Sequence, residues 1–371
     1  MSDYKQLSLC MIVCNEERFI GNCLNSVKDV VDEIIIVDTG STDATKEICK
    51  SIGATVLDFE WNDDFAAARN FGLKYAKGDW IFWLDADEEV EKKDAAKLRD
   101  VLTETEDSIV GIQLVNYYGS YPIHPDNAYL INHHRLFRNG MGFQFKNRVH
   151  EQLNVDEVVG EVDHLKTLSV KVYHYGYLDE INAEKNKHNR NIRLLEKMQE
   201  DMSSNPWLDY HLATEYFRVS MYNKAFHHLN EAIHNFLLQQ QIPPSPIYRL
   251  KYEILVLANS FEGAWPAIDN AIALYPDYVD LHFYKGLIFV GMEKYEEAIE
   301  VFQHCLMLGE KNLQHITLKG LGSFQAWYYI GHCYMKLGQM EKAVYALKAC
   351  IQQSHSHTLA KEALEKLQKS S

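Results

Sequence analysis

The sequence predicts an α/β domain on a mostly parallel, Rossmann-like sheet, followed by an all-α domain of helical repeats. Three observations carry that expectation. Short β-branched runs alternate with amphipathic stretches over the first part of the chain. The alternation then gives way to strand-like pieces joined by loops. From Trp207 onward, small and aromatic residues recur at the spacing of a helix-turn-helix unit of about 34 residues. The expected division is an α/β domain over 1–178, a connecting helix over 179–205 and the repeats over 206–371.

In chain order, LSLCMIV (7–13) is the apolar run of the first strand, an apparent strand that holds Cys10 and Cys14, and Phe19, Ile20, Cys23, Leu24 and Val27 mark a helix. EIIIVD (33–38) is the second strand, and its β-branched centre implies burial on both faces. TGSTDATKEICKSIG carries helix-start chemistry, with Ser41 or Thr42 as N-cap, Asp43 early and Gly53 as the stop. ATVLDF is a third strand, DDFAAARNFGLKYAKG a helix ending at Gly78, and WIFWLD a fourth strand. Strands separated by helices imply a parallel sheet with right-handed crossovers. Beyond Asp107, IVGIQLVNYY, AYLINHHRLFR and LSVKVYHYGY read as strands, and LDEINAEKNKHNRNIRLLEKMQED as one polar helix. Asn205-Pro206 marks the next boundary.

In the last part, Gly331, Tyr334, Gly338, Ala343 and Cys350 occupy the small and aromatic positions of one unit. Gly286, Phe289, Tyr295, Ala298 and Cys305 repeat them, as do Ala213, Tyr216, Tyr222, Ala225 and Ala232. Phe261, Ala264, Ala271 and Pro276 trace a weaker copy. Small residues are needed where the two helices of a unit cross closely. The pattern resembles the tetratricopeptide repeat in about four imperfect copies.

Bulk properties narrow the function. The 371 residues carry a formal net charge of −15, which argues against a nucleic-acid binder, since phosphate neutralisation needs clustered Lys and Arg. A small phosphorylated ligand stays compatible, because a metal ion brings its own positive charge. No apolar run is long enough for an integral membrane segment, and the N-terminal residues lack signal-peptide order. The seven cysteines form no CxxC pair and read as free thiols of a cytoplasmic protein.

One stretch, WIFWLDADEE (80–89), turns abruptly from apolar residues into carboxylates. Ligands of open parallel sheets sit beyond the carboxyl ends of the strands, where Asp38 and Asp85 both stand. Asp85 and Asp87 suit a divalent cation, Mn2+ or Mg2+, shared with a diphosphate and acting as Lewis acid on a leaving group. The plain alternative is a solvated turn. Arg69, early on the third crossover helix, reaches phosphate, supports Asp85 or forms a helix salt bridge.

Four ordered motifs, MIVCNEERFIGNCLNSV, IIIVDTGSTDAT, WNDDFAAARNFGL and WIFWLDADE, resemble the N-terminal half of the family 2 glycosyltransferases, inverting GT-A-fold enzymes that use nucleotide sugars. The resemblance covers residues 7 to 89 and weakens afterwards. It implies that the turn from Ile12 through Cys14 to Glu16 lines a nucleobase pocket and that Asp38 binds the uracil-ribose part of a UDP-sugar. Arg69 supports the donor. Asp85, Ala86 and Asp87 form the Asp-x-Asp motif, with Asp87 nearest the metal and Asp85 nearer the ribose. Some relatives carry another Asp where this chain has Ala86. The Glu-Asp motif that supplies the base in many relatives is missing; within NRVHEQL, Glu151 is the preferred base and His150 its neighbour or alternative, against a role as loop anchors. His174, at an expected strand end, is a further metal ligand or a core histidine. Arg135 and Arg138 meet the diphosphate or pair with acids.

The combined layout is similar to bacterial peptide S-glycosyltransferases that modify glycopeptide bacteriocins. That likeness implies a hexose from UDP-glucose, a Cys, Ser or Thr side chain of a peptide or protein as acceptor, and a homodimer through the helical repeats. Two alternatives stay open, an enzyme building a surface polysaccharide or lipid-linked glycan, and an inactive scaffold.

Overall fold

The computed structural model describes residues 4–160, 166–185, 187–201 and 205–369. The chain divides into two units, Met1–Ile123 with Ile131–Lys187, and His124–Leu130 with His188–Ser371.

In the first unit, strands and helices alternate as the hydrophobic pattern dictates: β1 (Leu7–Val13), α1 (Ile20–Val27), β2 (Glu33–Asp38), α2 (Thr45–Ser51), β3 (Thr55–Asp58), α3 (Phe65–Leu73) and β4 (Trp80–Trp83). There follow β5 (Glu88–Val90), α4 (Lys97–Glu104), β6 (Ile109–Gly119), most of β7 (Ala128–Arg138), β8 (Phe145–Lys146), β9 (Gln152–Leu153), α5 (Val155–Val159), β10 (Thr167–Leu178) and α6 (Asp179–Lys185). The main sheet has the order β3-β2-β1-β4-β7-β6-β10-β5. β1 lies between β2 and β4 and is parallel to both, with Cys10 opposite Ile35 and Trp83. β3 extends the parallel half.

Beyond β4 the sheet is mixed. β7 runs antiparallel to β4, β10 parallel to β6, and β5 antiparallel to β10. No helix separates β6 from β7, so nothing in the connection holds β7 to the parallel direction.

Alternation along the strands fills both faces of the sheet. Leu9, Met11, Ile36 and Phe82 pack with Ile20 and Leu24 of α1 and Leu98 of α4. Cys10, Ile35, Ile81 and Trp83 pack on the other side with Ala66 of α3, Phe143 and Phe145.

Several local expectations shift. β1 stops at Val13, so Cys14 opens the following loop. The N-cap of α2 is Ala44, not Ser41 or Thr42, because Asp38 Oδ1 draws the amides of Gly40 and Ser41 into a separate turn; Asp43 Oδ1 then accepts from the Thr45 amide. α3 ends at Leu73, and Gly78 instead donates to Ser8 Oγ, where a Cβ would collide with the β1 backbone. The single polar helix expected after β10 is recorded as α6 and α7 (Lys187–Asp201), and residue 186 between them lies outside the described residues.

The second unit contains most of α7 and then helix pairs: α8 (Pro206–Arg218) with α9 (Tyr222–Leu238), α10 (Ser245–Leu257) with α11 (Phe261–Ala264) and α12 (Ile268–Leu274), and α13 (Val279–Gly291) with α14 (Tyr295–Leu308). β11 (Thr317–Leu318), α15 (Phe324–Lys336), α16 (Met340–Gln353) and α17 (Thr358–Lys369) complete it. The small positions behave as the repeat requires. A Cβ on Gly286 would lie 2.5 Å from Phe302, and one on Gly331 3.0 Å from Leu347. The weak copy has a physical cause: Pro266 holds Trp265 in extended backbone and splits the second helix into α11 and α12. A cleft of about 320 Å3 is lined by Trp327, Ile330, Tyr334, Lys342 and Tyr345, among others.

Candidate active site

The site grows from the carboxyl ends of β1, β2 and β4. Ile12 is half-buried and Cys14 exposed. Asn15, at φ 55, lets the chain turn sharply after β1. Its amide donates to Ser41 Oγ at 2.9 Å and its Oδ1 accepts from the Thr42 amide at 2.8 Å, while the Glu16 amide donates to Thr45 Oγ1 at 2.7 Å. The loops after β1 and β2 are therefore one hydrogen-bonded shelf.

Asp38 ends β2 at this shelf, fully buried. Burial opposes its charge, but Ser41, Gly40 and Lys46 outweigh burial and lower its pKa. Oδ1 is taken by the two amides, whereas Oδ2 has no hydrogen-bond partner among the described residues. A buried acceptor left open at a ligand shelf suits a ribose hydroxyl or a nucleobase N–H.

Beyond β4 the carboxylates answer to two arginines. Arg69 donates through Nη2 to Asp85 Oδ1 and through Nε to Glu151 Oε1, both at 2.7 Å. Asn70, the next residue on α3, brackets Phe145 by donating to its carbonyl and accepting its amide, each at 2.8 Å. That bracket lays the loop carrying His150 and Glu151 over Arg69. Arg135 donates through Nη2 to Glu88 Oε1 at 2.5 Å, and Glu88 Oε2 accepts from the Asp85 amide at 2.9 Å. The Asp85–Glu88 turn is closed again by the Glu88 amide on the Asp85 carbonyl. Trp83 serves both cations: the Arg69 and Arg135 guanidinium carbons lie 4.5 and 3.7 Å from its ring centroid.

The electrostatics follow from this layout. Burial works against the Asp85 charge, but Arg69 and Arg135 prevail and hold its carboxyl at about 2. Burial pushes Glu88 upward against Arg135. Arg69 Nη1 and Arg135 Nε and Nη1 are buried without a hydrogen-bond partner among the described residues, leaving donors for an anionic or hydroxylated ligand. Arg138, by contrast, bonds the Thr105 and Asp107 carbonyls and is a structural residue.

Asp87 and His174 form the second half. His174 lies inside β10, not at its end. Its Nε2 is 3.4 Å from Asp87 Oδ1, and its Nδ1 is 2.8 Å from Asn116 Oδ1. Burial alone would lower the His174 pKa, but Asp87, with help from Glu88, raises it overall. Ala86 packs into the core.

The fit of a divalent cation rests on Asp87, His174 and Gly176. A Cβ on Gly176 would collide with Asp87 Oδ2 and lie 2.6 Å from His174 Nε2, so a carboxylate oxygen and an imidazole nitrogen converge beside a bare Cα. Two ligands at adjacent corners of an octahedral ion are about 3 Å apart, close to the observed separation. Among the described residues no three His, Cys, Asp or Glu side chains gather to hold a metal unaided; the set fits an ion that completes its shell with diphosphate oxygens and water. Asp85 is tied to Arg69 and not joined to that pair.

Glu88, Trp83, Asn116 and Gly176 were not singled out by the sequence. The available signals were a polar Asn in an apolar strand (VNYYG) and a Gly between aromatics (YHYGY).

Residues 8–161 match the model of glycosyl transferase family 2, and residues 279–312 and 324–354 match the tetratricopeptide repeat. The SPbeta prophage-derived glycosyltransferase SunS of Bacillus subtilis (strain 168) is 30% identical over 296 residues, spanning 77% of this chain and 67% of SunS. The lipopolysaccharide core biosynthesis glycosyltransferase LpsC of Rhizobium meliloti (strain 1021) is 32% identical over 196 residues, covering 49% of this chain and 68% of LpsC. The crystal structure of S. aureus TarS 1-349 aligns with 68% of this chain and 86% of its own, at 16% identity and a TM-score of 0.39.

Proposed function

Because the chain belongs to glycosyltransferase family 2 and carries C-terminal tetratricopeptide repeats, we propose that it is a metal-dependent, inverting hexosyltransferase. It moves a sugar from a UDP-sugar, UDP-glucose favoured, to a Cys, Ser or Thr side chain of a peptide or protein. The observation that carries this reading is the pairing of an open acceptor on Asp38 with the convergence of Asp87 and His174 beside Gly176. The first suits the nucleoside and the second the diphosphate.

In this reading Asp38 and the shelf after β1 hold uridine. Asp87 and His174 would hold Mn2+ or Mg2+, which supplies positive charge to the departing diphosphate. Arg69 fixes Asp85 on the donor side and Glu151 on the acceptor side. The acceptor atom forms its bond to the anomeric carbon as the carbon–oxygen bond to UDP breaks and the electron pair leaves with UDP. The acceptor proton goes to Glu151, with His150 beside it in the same loop. A carboxylate is a weak base, and a thiol, with an ordinary pKa of about 8.5, yields its proton to one far more readily than an alcohol does. Cys is therefore the favoured acceptor.

The repeat unit captures the acceptor and supports self-association, and its aromatic cleft around Trp327 and Tyr345 suits a peptide. No described helix is long and apolar enough to cross a membrane. All seven cysteines are free thiols, which suits work in the cytoplasm.

The test is a screen of UDP-sugars by intact-mass analysis with Mn2+ and cysteine-containing peptides encoded beside the gene. Addition of one hexose, lost on Cys→Ser substitution of the peptide, is expected. The similarity to LpsC supports a second reading, transfer to a surface polysaccharide or lipid-linked glycan; glycan-only transfer in the same screen would favour it. An inactive scaffold would bind no donor.

A further inference from the structure

We propose that Asn116 is a positioning residue: it fixes His174 in the tautomer with its proton on Nδ1, so that the Nε2 lone pair faces Asp87 and a divalent cation held there. The inference rests on the metal reading of the site and names the residue that makes the imidazole a competent ligand.

The backbone enforces the contact. Asn116 on β6 is the register partner of His174 on β10. Asn116 is 5% and His174 6% exposed, and Nδ1 meets Oδ1 at 2.8 Å. Neighbouring positions of β6, such as Ile112 and Leu114, are buried and apolar, and an amide placed there is costly unless it is hydrogen-bonded.

A neutral imidazole has one donor and one acceptor nitrogen, and the bond made by one decides the role of the other. A carbonyl oxygen only accepts, so it places the proton on Nδ1. Left alone with Asp87 at 3.4 Å, the ring would prefer to donate from Nε2 to that carboxylate. That tautomer has no lone pair for a metal. Asn116 opposes this choice. Gly176 completes the device by keeping the space beside Nε2 and Asp87 Oδ2 open to an ion.

Two measurements test this on the full chain. The first is the two-bond proton–nitrogen correlation spectrum of 15N-histidine-labelled, metal-free protein, recorded at alkaline pH so that the ring is neutral. His174 is expected with its proton on Nδ1 in the parent and in Asn116→Asp, which keeps an accepting oxygen, and on Nε2 in Asn116→Leu. A parent spectrum with the proton on Nε2 overturns the proposal without any variant having to fold.

The second is Mn2+ titration in the presence of UDP, followed by electron paramagnetic resonance. Asn116→Leu should weaken Mn2+ binding about 10- to 100-fold, as loss of an orienting partner does. Asn116→Asp should stay within about threefold of the parent, and His174→Ala should be at least as weak as Asn116→Leu. If His174→Ala weakens Mn2+ and a folded Asn116→Leu does not, the positioning role is wrong and the metal reading stands. If His174→Ala binds as tightly as the parent, the metal reading of His174 fails and takes the proposal with it.

Discussion

Arg69 Nε donates to Glu151 Oε1 at 2.7 Å across 82 residues of sequence, and the same guanidinium holds Asp85 Oδ1 at 2.7 Å. One buried cation thus couples the carboxylate proposed as base to the turn proposed to face the donor. A lysine is a single point charge and cannot span both. Arg69→Lys is expected to lower kcat/KM for UDP-sugar turnover about 100-fold while the protein stays folded. Steady-state UDP release with circular dichroism checks this; a parental rate would remove the bridge from the mechanism.

Gly176 offers a sharper probe of the metal pair. Its added Cβ would enter the space shared by Asp87 Oδ2 and His174 Nε2. Gly176→Ala should therefore abolish the Mn2+-dependent rise in Tm produced by UDP, with a modest loss of about 1–3 kcal/mol in metal-free stability from overpacking. Thermal shift assays with and without Mn2+ separate the two effects. A preserved Mn2+-dependent shift would place the cation elsewhere.

The repeat unit has its own pH signature at Asp280. Burial, only partly countered by Arg249, raises its pKa to about 7. Arg249 is shared with Glu253 at 3.1 Å, and Asp280 Oδ2 has no hydrogen-bond partner among the described residues. The folded state therefore keeps a proton that the unfolded chain releases near pH 4. This stabilisation is fully present below about pH 4 and lost as pH rises through about 7. Asp280→Asn keeps an accepting oxygen for Arg249 and Leu318, and should match the parent near pH 4.5 and exceed it by several degrees in Tm at pH 8. Equal differences at both pH values would show that Asp280 is charged in the fold.

The aromatic cleft of the repeats carries the acceptor proposal. Trp327 and Tyr345 meet edge to face at 5.9 Å. Tyr345 is largely exposed, so Trp327→Ala with Tyr345→Ala should raise KM for the peptide about tenfold and leave donor hydrolysis unchanged. An unaltered peptide KM would move acceptor capture off this face.

Much of this was legible from local patterning. EIIIVD and WIFW are buried on both faces and could hardly be anything but central strands, and the spacing of Gly286 with Ala298, and of Gly331 with Ala343, requires close helix crossings. Asp38 and Asp85 stood out because strand ends gather ligand loops, Asp87 as the second carboxylate of the Asp-x-Asp motif, and Arg69 by its place early on a crossover helix and in a family 2 motif. What stayed hidden depends on distant pairing. Glu88 sits in a run of charges that reads as solvated, yet Arg135, 47 residues away, buries it. The Asn116–His174 contact, 58 residues apart, exists only through the register of β6 on β10. The antiparallel course of β7 likewise depends on pairing that no local pattern encodes.

The most direct measurement is calorimetric titration of UDP into the protein with Mn2+ and with EDTA, on the parent and on Asp87→Ala. The account predicts a binding heat only for the parent with Mn2+. Equal UDP affinity in EDTA, or in Asp87→Ala with Mn2+, would contradict it.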